Sequence, residues 1–293
     1  FSFQDSSFSV EWSKGEQLSA LFKVGSLLER GTSQIYLEDA PEDGLGFVEA
    51  FATYTGVYGS VRAGLMRLGY GEEGHRAGSA QIFPDGLLFS ERIVALSDYG
   101  FSYRTSHNRF SSELIIHNGE VDVTPNDGNP WVTAHWGWQS ERLKVLISGQ
   151  AGSSKAAATA TTGSQTLGGW DRTQNADWRL VTLSSLWTPR KSEVFFHYTA
   201  GEAEQNASEH TFALWQLDWI RYVRPHWGFG LRHDQFDVNS KTSNDIVSEE
   251  SAMLFSKSAD STSTLSLVFT KRLEEDKQVD NDRLWLQWRL TPF

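Results

Sequence analysis

Apolar and polar residues alternate with a period of two along most of the chain, and this period is typical of β-strands. Leu284, Leu286 and Trp288, for example, fall on one face of an extended segment. No convincing stretch of useful length repeats with the helical period of 3.6 residues. The pattern predicts an all-β chain with about fourteen strands, at roughly 17–29, 45–55, 58–69, 97–106, 109–118, 130–138, 141–150, 177–188, 191–200, 209–223, 226–237, 250–258, 262–272 and 282–293.

Short and long connections alternate strictly between these segments. The short ones are 56–57, 107–108, 139–140, 189–190, 224–225 and a slightly longer link at 259–261. The long ones cover 30–44, 70–96, 119–129, 151–176, 201–208, 238–249 and 273–281. Outer-membrane barrels join their strands by tight periplasmic turns and long extracellular loops, whereas a soluble sandwich gives no reason for such alternation. We therefore predict a transmembrane antiparallel up-and-down β-barrel, with twelve or sixteen strands as the alternatives.

The first residues do not fit this strand count. Phe8, Val10 and Trp12 alternate with polar residues and could form a further strand. The sequence favours an N-terminal extension over residues 1–16, near the periplasmic mouth or in the lumen, followed by a barrel over residues 17–293. Aromatic residues gather near the predicted strand ends, as expected for the girdles at the two lipid–water boundaries.

Composition narrows the class of partner. The chain of 293 residues has 37 acidic and 26 basic side chains and a net charge of −11, which argues against nucleic acid as a partner. It has no cysteine, which excludes disulfides and thiolate metal sites. No apolar run approaches the roughly twenty residues that a transmembrane helix needs. The expected partners are the lipid bilayer and small, mainly anionic solutes, and the oligomeric state stays open.

The segment from Val61 to Glu120 resembles part of the phosphate-selective porin O and P family. The matching residues are Arg62-Ala63-Gly64-Leu65 on a strand, Phe89-Ser90-Glu91-Arg92 in a long loop, Asp98-Tyr99-Gly100 at the start of the next strand, and His117-Asn118-Gly119-Glu120 after it. The resemblance implies a channel-forming barrel in the outer membrane of a Gram-negative bacterium, with an inclination toward anions. None of the matching residues is a known phosphate ligand, so no such role is transferred.

Assigning the apolar positions to lipid places the opposite face of each strand in the lumen. The predicted pore-lining cations are then Lys23, Arg62, Arg104, Arg142, Lys144, Arg179, Arg232, Arg283 and Arg289. The predicted pore-lining acids are Glu49, Glu113, Asp218 and Asp234. An excess of positive charge in a low-dielectric channel selects anions. The alternative is that these residues pair across the wall in structural ladders.

The loop after the third predicted strand contains an apolar cluster that must be buried. It could fold inward and narrow the pore, with Phe83, Asp85, Phe89 and Arg92 as the candidate constriction residues, or it could pack on neighbouring loops. The sequence does not decide between these two positions.

No enzyme or cofactor is predicted. None of the eight histidines has serine at the second position after it, which is the spacing of an outer-membrane phospholipase, and no other nucleophile–base spacing is present. Asp122, Asn126, Asp127 and Asn129 could offer oxygen ligands to calcium, but a plain loop rich in turn-forming residues explains them better. We therefore predict a porin for passive diffusion of small solutes, with a preference for anions. The alternative is a narrow or plugged barrel whose extracellular loops bind a partner or surface ligand.

Overall fold

The computed structural model describes residues 7–26, 45–76, 83, 86–90, 93–94, 97–119, 130–154, 176–205, 208–243, 245–260, 262–275 and 282–290. The strands are β1 (Ser7–Lys14), β2 (Leu18–Ser26), β3 (Leu45–Gly56), β4 (Gly59–Arg67), β5 (Ser97–His107), β6 (Phe110–His117), β7 (Trp131–Gln139) and β8 (Leu143–Ser154). They continue as β9 (Ala176–Trp187), β10 (Ser192–Gln205), β11 (Ser208–Arg224), β12 (Trp227–Asp237), β13 (Ile246–Lys257), β14 (Ser263–Glu274) and β15 (Arg283–Leu290). Two short helices, α1 (Gly71–His75) and α2 (Leu87–Ser90), lie between β4 and β5.

All fifteen strands form one up-and-down antiparallel sheet in which each strand pairs with its neighbours in sequence. The predicted antiparallel meander is confirmed, but the strand count of fourteen is wrong by one. The additional strand is β1, which falls within the segment expected to be an extension. It pairs with β2 in regular register, with Phe8 opposite Val24, Val10 opposite Phe22 and Trp12 opposite Ala20. Among the described residues β1 and β15 do not pair with each other, and because the count is odd they run in the same direction.

The two faces of the sheet differ in the way that the alternation predicts. On the outer face Leu231, Leu267 and Leu286 are exposed, as are most of the large apolar side chains at equivalent positions. On the inner face alternate residues are buried, so β12, for example, buries Arg232 and Asp234 between exposed or half-buried neighbours. This inversion places the apolar band outside, as in a membrane barrel.

Aromatic side chains mark the short-turn edge of the outer face. Tyr54, Tyr58, Phe110, Trp187 and Trp227 all adjoin short turns and are exposed. Tyr103 on β5 ties its strand to the neighbouring turn between β3 and β4, because its hydroxyl donates to the Tyr58 carbonyl at 2.9 Å. The arrangement is that of an interfacial girdle.

One predicted long loop is a strand hairpin instead. Residues 201–208 were expected to connect two strands, but β10 continues to Gln205 and β11 begins at Ser208. Gly201 and Ala203 face inward beside Phe212, while Glu202 points outward. The period of two is therefore present, but its inner positions are small residues, which hid it from a search for apolar alternation.

The connection between β4 and β5 does not lie over the end of the sheet. Its described residues run inside the curl of the sheet, where α1 contacts β8 and β9 and α2 contacts β12. Tyr70, Leu87, Leu88, Phe89, Ile93 and Val94 join inward residues of β7, β9, β11 and β12 in the largest apolar core cluster. Among the described residues there is no helix long and apolar enough to cross a membrane.

Candidate functional site in the interior of the sheet

The inward connection between β4 and β5, here called the lumen segment, comprises the described residues between Leu68 and Val94. Two glycines let the chain turn inward at its start. Gly69 has φ of 60° and Gly71 has φ of 65°, in the left-handed region that favours glycine. A Cβ at Gly71 would also lie 3.0 Å from Cε1 of His197, so the close approach to the wall needs a residue without a side chain.

Polar contacts hold α1 against the wall. The Glu72 amide donates to Ser184 Oγ on β9 at 3.0 Å, and the Glu72 carboxylate lies 2.6 Å from Lys144 Nζ on β8. Arg76, one turn further along, is 3.6 Å from the same carboxylate. The Glu72 amide is thus hydrogen-bonded to the wall. Its carboxylate is neutralised by one cation of the wall and one of the segment itself.

The second half of the lumen segment is held in the same way. The Gly86 amide donates to Glu73 Oε1 at 2.7 Å, which ties the start of α2 to α1. Arg289 of β15 donates to the Phe83 carbonyl at 3.0 Å, and the Arg232 guanidinium lies 4.7 Å from the centroid of the Phe83 ring. These contacts reach β12 and β15, so the segment extends across much of the interior.

Two of the candidate constriction residues can therefore be placed. Phe83 and Phe89 are buried inside the sheet, at the inward position that the sequence left undecided. The other two candidates, Asp85 and Arg92, lie outside the described residues. For the described part of this connection, packing on neighbouring loops is not what the structure shows.

The inner face of β7 to β14, here called the covered wall, carries buried and paired charges. Arg232 donates from Nε and Nη2 to the two oxygens of Asp218, both at 2.8 Å. Gln216 donates to the same carboxylate at 3.0 Å. Glu249 accepts from Arg272 at 3.2 Å and from Arg283 of the adjoining β15 at 2.8 Å. Such charges tolerate burial only because their partners are equally fixed.

The inner face of β2 to β6, here called the open wall, is more accessible. Lys23 and Arg67 share Glu49 at the longer distances of 3.9 Å and 3.5 Å. The Arg62 guanidinium lies 5.3 Å from the centroid of the Phe51 ring, and Arg104 is exposed toward the lumen. Among the described residues, Arg62 and Arg104 make no ion pair. The cations of this wall are only partly neutralised.

Most of the predicted pore-lining residues do face inward. By register and burial these are Lys23, Arg62, Arg104, Lys144, Arg232, Arg283, Arg289, Glu49, Glu113, Asp218 and Asp234. Two assignments are wrong. Arg179 points outward, where its side chain is 75% exposed and lies 3.3 Å from Glu202, because Trp178 and Leu180 occupy the inner face. Arg142 precedes β8 and lies exposed in the turn at the rim.

Sequence reasoning missed several interior charges. The additional residues are Arg67, Glu72, Glu73, Arg76, Glu249 and Arg272. Glu249 and Arg272 lie on inward positions of strands whose boundaries were drawn too short or near their ends. The loop acids carry no periodic signal, so the expected excess of cations was computed without the acids that α1 brings inside.

Three of the residues that resemble the porin O and P family, Asp98, His117 and Gly119, lie in a buried hydrogen-bond network. His117 Nδ1 lies 2.7 Å from Asp98 Oδ2, and His117 Nε2 lies 2.8 Å from Thr133 Oγ1. The Gly119 amide donates to the same Asp98 oxygen, and Gln150 donates to Thr133 at 3.2 Å. The network ties the long-loop ends of β5 to β8 together. These three resembling residues therefore have a structural explanation in this chain.

Metal chemistry has no described site. Among the described residues no group of three or more histidine, aspartate or glutamate side chains is arranged to hold a metal ion. The calcium candidates Asp122, Asn126, Asp127 and Asn129 lie outside the described residues.

The chain was compared with known proteins. No protein-family model and no curated protein matches it. Among solved structures, a loop-deletion mutant of OmpT, an outer membrane protein of Vibrio cholerae, aligns over 97% of this chain and 89% of its own with a TM-score of 0.67 and 11% identity. An anion-selective porin from Comamonas acidovorans aligns over 97% of this chain and 84% of its own with a TM-score of 0.65 and 10% identity.

A third similar structure is the outer membrane channel DcaP of Acinetobacter baumannii, with a TM-score of 0.58 and 11% identity over 96% of this chain and 81% of its own. The chain has the fold of the outer-membrane porins. The neighbours are outer-membrane proteins of Gram-negative bacteria, which agrees with the location predicted from the sequence. At these identities the likeness concerns the fold, and the porin fold is the level at which the predicted family resemblance is supported.

Proposed function

We propose that this chain is a channel for passive diffusion of small solutes across the outer membrane, and that solutes pass along the open wall. The lumen segment packs against the covered wall and buries its inner side chains. The inner positions of β2 to β5 toward the short turns remain half-buried or exposed. Among the described residues these positions are the more accessible part of the interior, which supports a passage there, between the lumen segment and β2 to β6.

The charge along this path supports a preference for anions. Among the described inward residues of β2 to β6, the cations Lys23, Arg62, Arg67 and Arg104 exceed the acids Glu49, Glu113 and Asp98 by one, and Asp98 is buried against His117. Wall charges in a low-dielectric channel attract counter-ions and repel ions of their own sign. One of the similar solved structures is an anion-selective porin, which agrees with this proposal without establishing it.

The test is the reversal potential of the protein in planar bilayers under a salt gradient. Arg62→Gln together with Arg104→Gln should shift the reversal potential toward cation preference, because these two cations have no acidic partner in the described structure. Arg179→Gln is the matched control, since it removes the same charge from the outer face. An equal shift in both variants, or none in the double variant, would contradict a path along the open wall.

A narrow or plugged barrel remains the second candidate. It is favoured by the extent of the lumen segment, which contacts strands from β7 to β15. The two candidates differ in conductance, because a plugged barrel passes no steady current whatever its wall charge. Single-channel recording of the wild-type chain therefore separates them.

We also infer a non-enzymatic role. The Asp98, His117 and Thr133 side chains are ordered like a catalytic relay, with the histidine between a carboxylate and a hydroxyl. Thr133 is fully buried, and its hydroxyl also accepts from Gln150. A nucleophile must reach its substrate, so this arrangement is better explained as a support for the strands around it.

A further inference from the structure

One histidine and one serine of the covered wall form hydrogen bonds to the backbone at the start of the lumen segment. His135 Nε2 on β7 lies 2.6 Å from the Leu68 carbonyl oxygen. His135 Nδ1 lies 2.9 Å from Ser148 Oγ on β8, directly opposite in register. The Gly71 amide in turn donates to Ser148 Oγ at 3.1 Å. Three hydrogen bonds thus connect Leu68 to Gly71 through the side chains of His135 and Ser148.

The direction of every hydrogen bond in this loop follows from the chemistry of its ends. A carbonyl oxygen can only accept, so His135 Nε2 carries the proton that binds Leu68. The neutral ring then accepts at Nδ1, and the Ser148 hydroxyl must donate to it. Ser148 Oγ keeps its lone pairs for the Gly71 amide. One neutral tautomer therefore satisfies all groups, and both side chains are at least 95% buried.

We propose that the His135–Ser148 pair is the positioning element that holds the start of the lumen segment against the covered wall and so keeps the passage along the open wall clear. The pair touches backbone groups of the segment rather than solute. The proposal rests on the proposed function only in assuming that solutes pass along the open wall.

The same geometry makes the hydrogen bonds of His135 and Ser148 to the lumen segment sensitive to acid. A protonated imidazole donates from both nitrogens. The Ser148 hydroxyl proton would then have to turn away from Nδ1 into a buried site, and a charge would be added where burial disfavours it. Acid should therefore loosen the start of the segment.

The groups around His135 bear on this response. Those near its ring are Glu113 on β6, Arg104 on β5, His117 on β6, and Tyr70 and His75 of the lumen segment, and Lys144 on β8 acts on His75. Burial opposes protonation of His135 most strongly. The Leu68 carbonyl and Glu113, which is directly opposite in register, favour it, and Arg104 and His117 oppose it. Burial, followed by the neighbouring His135, lowers the pKa of His75 to about 3, so His75 stays neutral in mild acid.

Thiol labelling tests these hydrogen bonds without any ion flux, because the chain contains no cysteine. Leu68→Cys places a buried reporter at the hydrogen-bonded residue, and Val57→Cys, at an exposed turn, supplies the labelling rate of a free thiol at each pH. In the Leu68→Cys background Ser148→Ala should raise the normalised labelling rate about tenfold, as expected for one lost buried hydrogen bond. His226→Gln, at an exposed turn, is the control and should leave the rate unchanged.

The acid response assigns the role to His135. In vesicles taken from about pH 7.5 down to about pH 4, the normalised rate of Leu68→Cys should rise reversibly toward the acid end, since a buried imidazole needs more acid than a free one to become charged. His135→Gln should be fast at both pH values and lose this rise, and adding Ser148→Ala to it should change little, because the two act in one chain of bonds. If His135→Gln does not insert, Ser148→Ala and the acid response decide.

An unchanged rate in Ser148→Ala, or no rise in acid, would overturn the proposal. So would an acid response that survives in His135→Gln. These labelling rates do not depend on the reversal potential. Failure of the positioning role of His135 and Ser148 is therefore distinguishable from failure of the proposed anion path.

Discussion

The covered wall and the open wall are built from the same strand pattern but treat charge differently. On the covered wall Arg232 and Asp218 meet through two bonds of 2.8 Å, with both side chains almost fully buried. On the open wall Lys23 and Arg67 share Glu49 at 3.9 Å and 3.5 Å. The lumen segment packs against the covered wall, whereas Lys23, Arg67 and Glu49 keep 17%, 17% and 12% of their side chains accessible.

This difference has an energetic consequence. A buried ion pair gains little over an apolar pair, but breaking it leaves one charge buried without a partner. An acid that is shared by two cations loses less when one of them is removed, because it keeps the other. The covered wall should therefore respond to charge deletion through stability, and the open wall through ion selectivity.

The largest effect is expected from Arg232→Ala on the covered wall. It leaves Asp218 without its bidentate partner and removes the cation over Phe83, so the free energy of unfolding should fall by about 3–5 kcal/mol. Lys23→Ala on the open wall is the matched control and should cost less, because Glu49 keeps Arg67 as a second cation at 3.5 Å. Urea unfolding of the protein refolded into vesicles measures both. Equal losses would show that the two walls do not differ in hydration.

On the outer face, the same kind of substitution should cost the same stability behind the covered wall and behind the open wall. Leu267→Arg on β14 and Phe22→Arg on β2 both place a charge on exposed lipid-facing positions. Each should reduce the free energy of unfolding by about 2–4 kcal/mol if the position lies near the bilayer midplane. The same unfolding measurement applies. A position that accepts arginine without loss would not face hydrocarbon, and its strand would have the opposite phase.

The fold was largely predictable because the alternation of residues is a local property. The outward phase of Leu231, Leu267 and Leu286 and the inward phase of Arg232 and Asp234 follow from a period of two. The predicted inward position of Arg179 was wrong because Trp178 and Leu180 are apolar residues that face inward at the lumen segment. The rule that apolar positions face lipid breaks down where the interior has an apolar core of its own.

The candidate site was less predictable because it depends on contacts between distant residues. Nothing near Glu72 in the sequence indicates that it meets Lys144 and Ser184. The inward turn at Gly69 and Gly71 is visible only as two glycines until their φ angles are known. The charge balance of the lumen could not be derived from the strands alone, since α1 adds acids to it.

The smallest change in stability is expected from Glu49→Gln on the open wall, and it reverses the sign of the selectivity test. Glu49 lies near both Lys23 and Arg67, so its neutralisation leaves two cations on the path without their shared acid. Stability should fall less than in Asp218→Asn, since both ion pairs are longer than the Arg232–Asp218 contacts. The reversal potential should move toward stronger anion preference, opposite to the shift expected for Arg62→Gln with Arg104→Gln. Asp218→Asn is the matched change on the covered wall, where it should lower stability and leave selectivity nearly unaltered. If Glu49→Gln instead destabilises the protein as strongly as Asp218→Asn, the open wall is as dry as the covered one. The passage must then lie elsewhere.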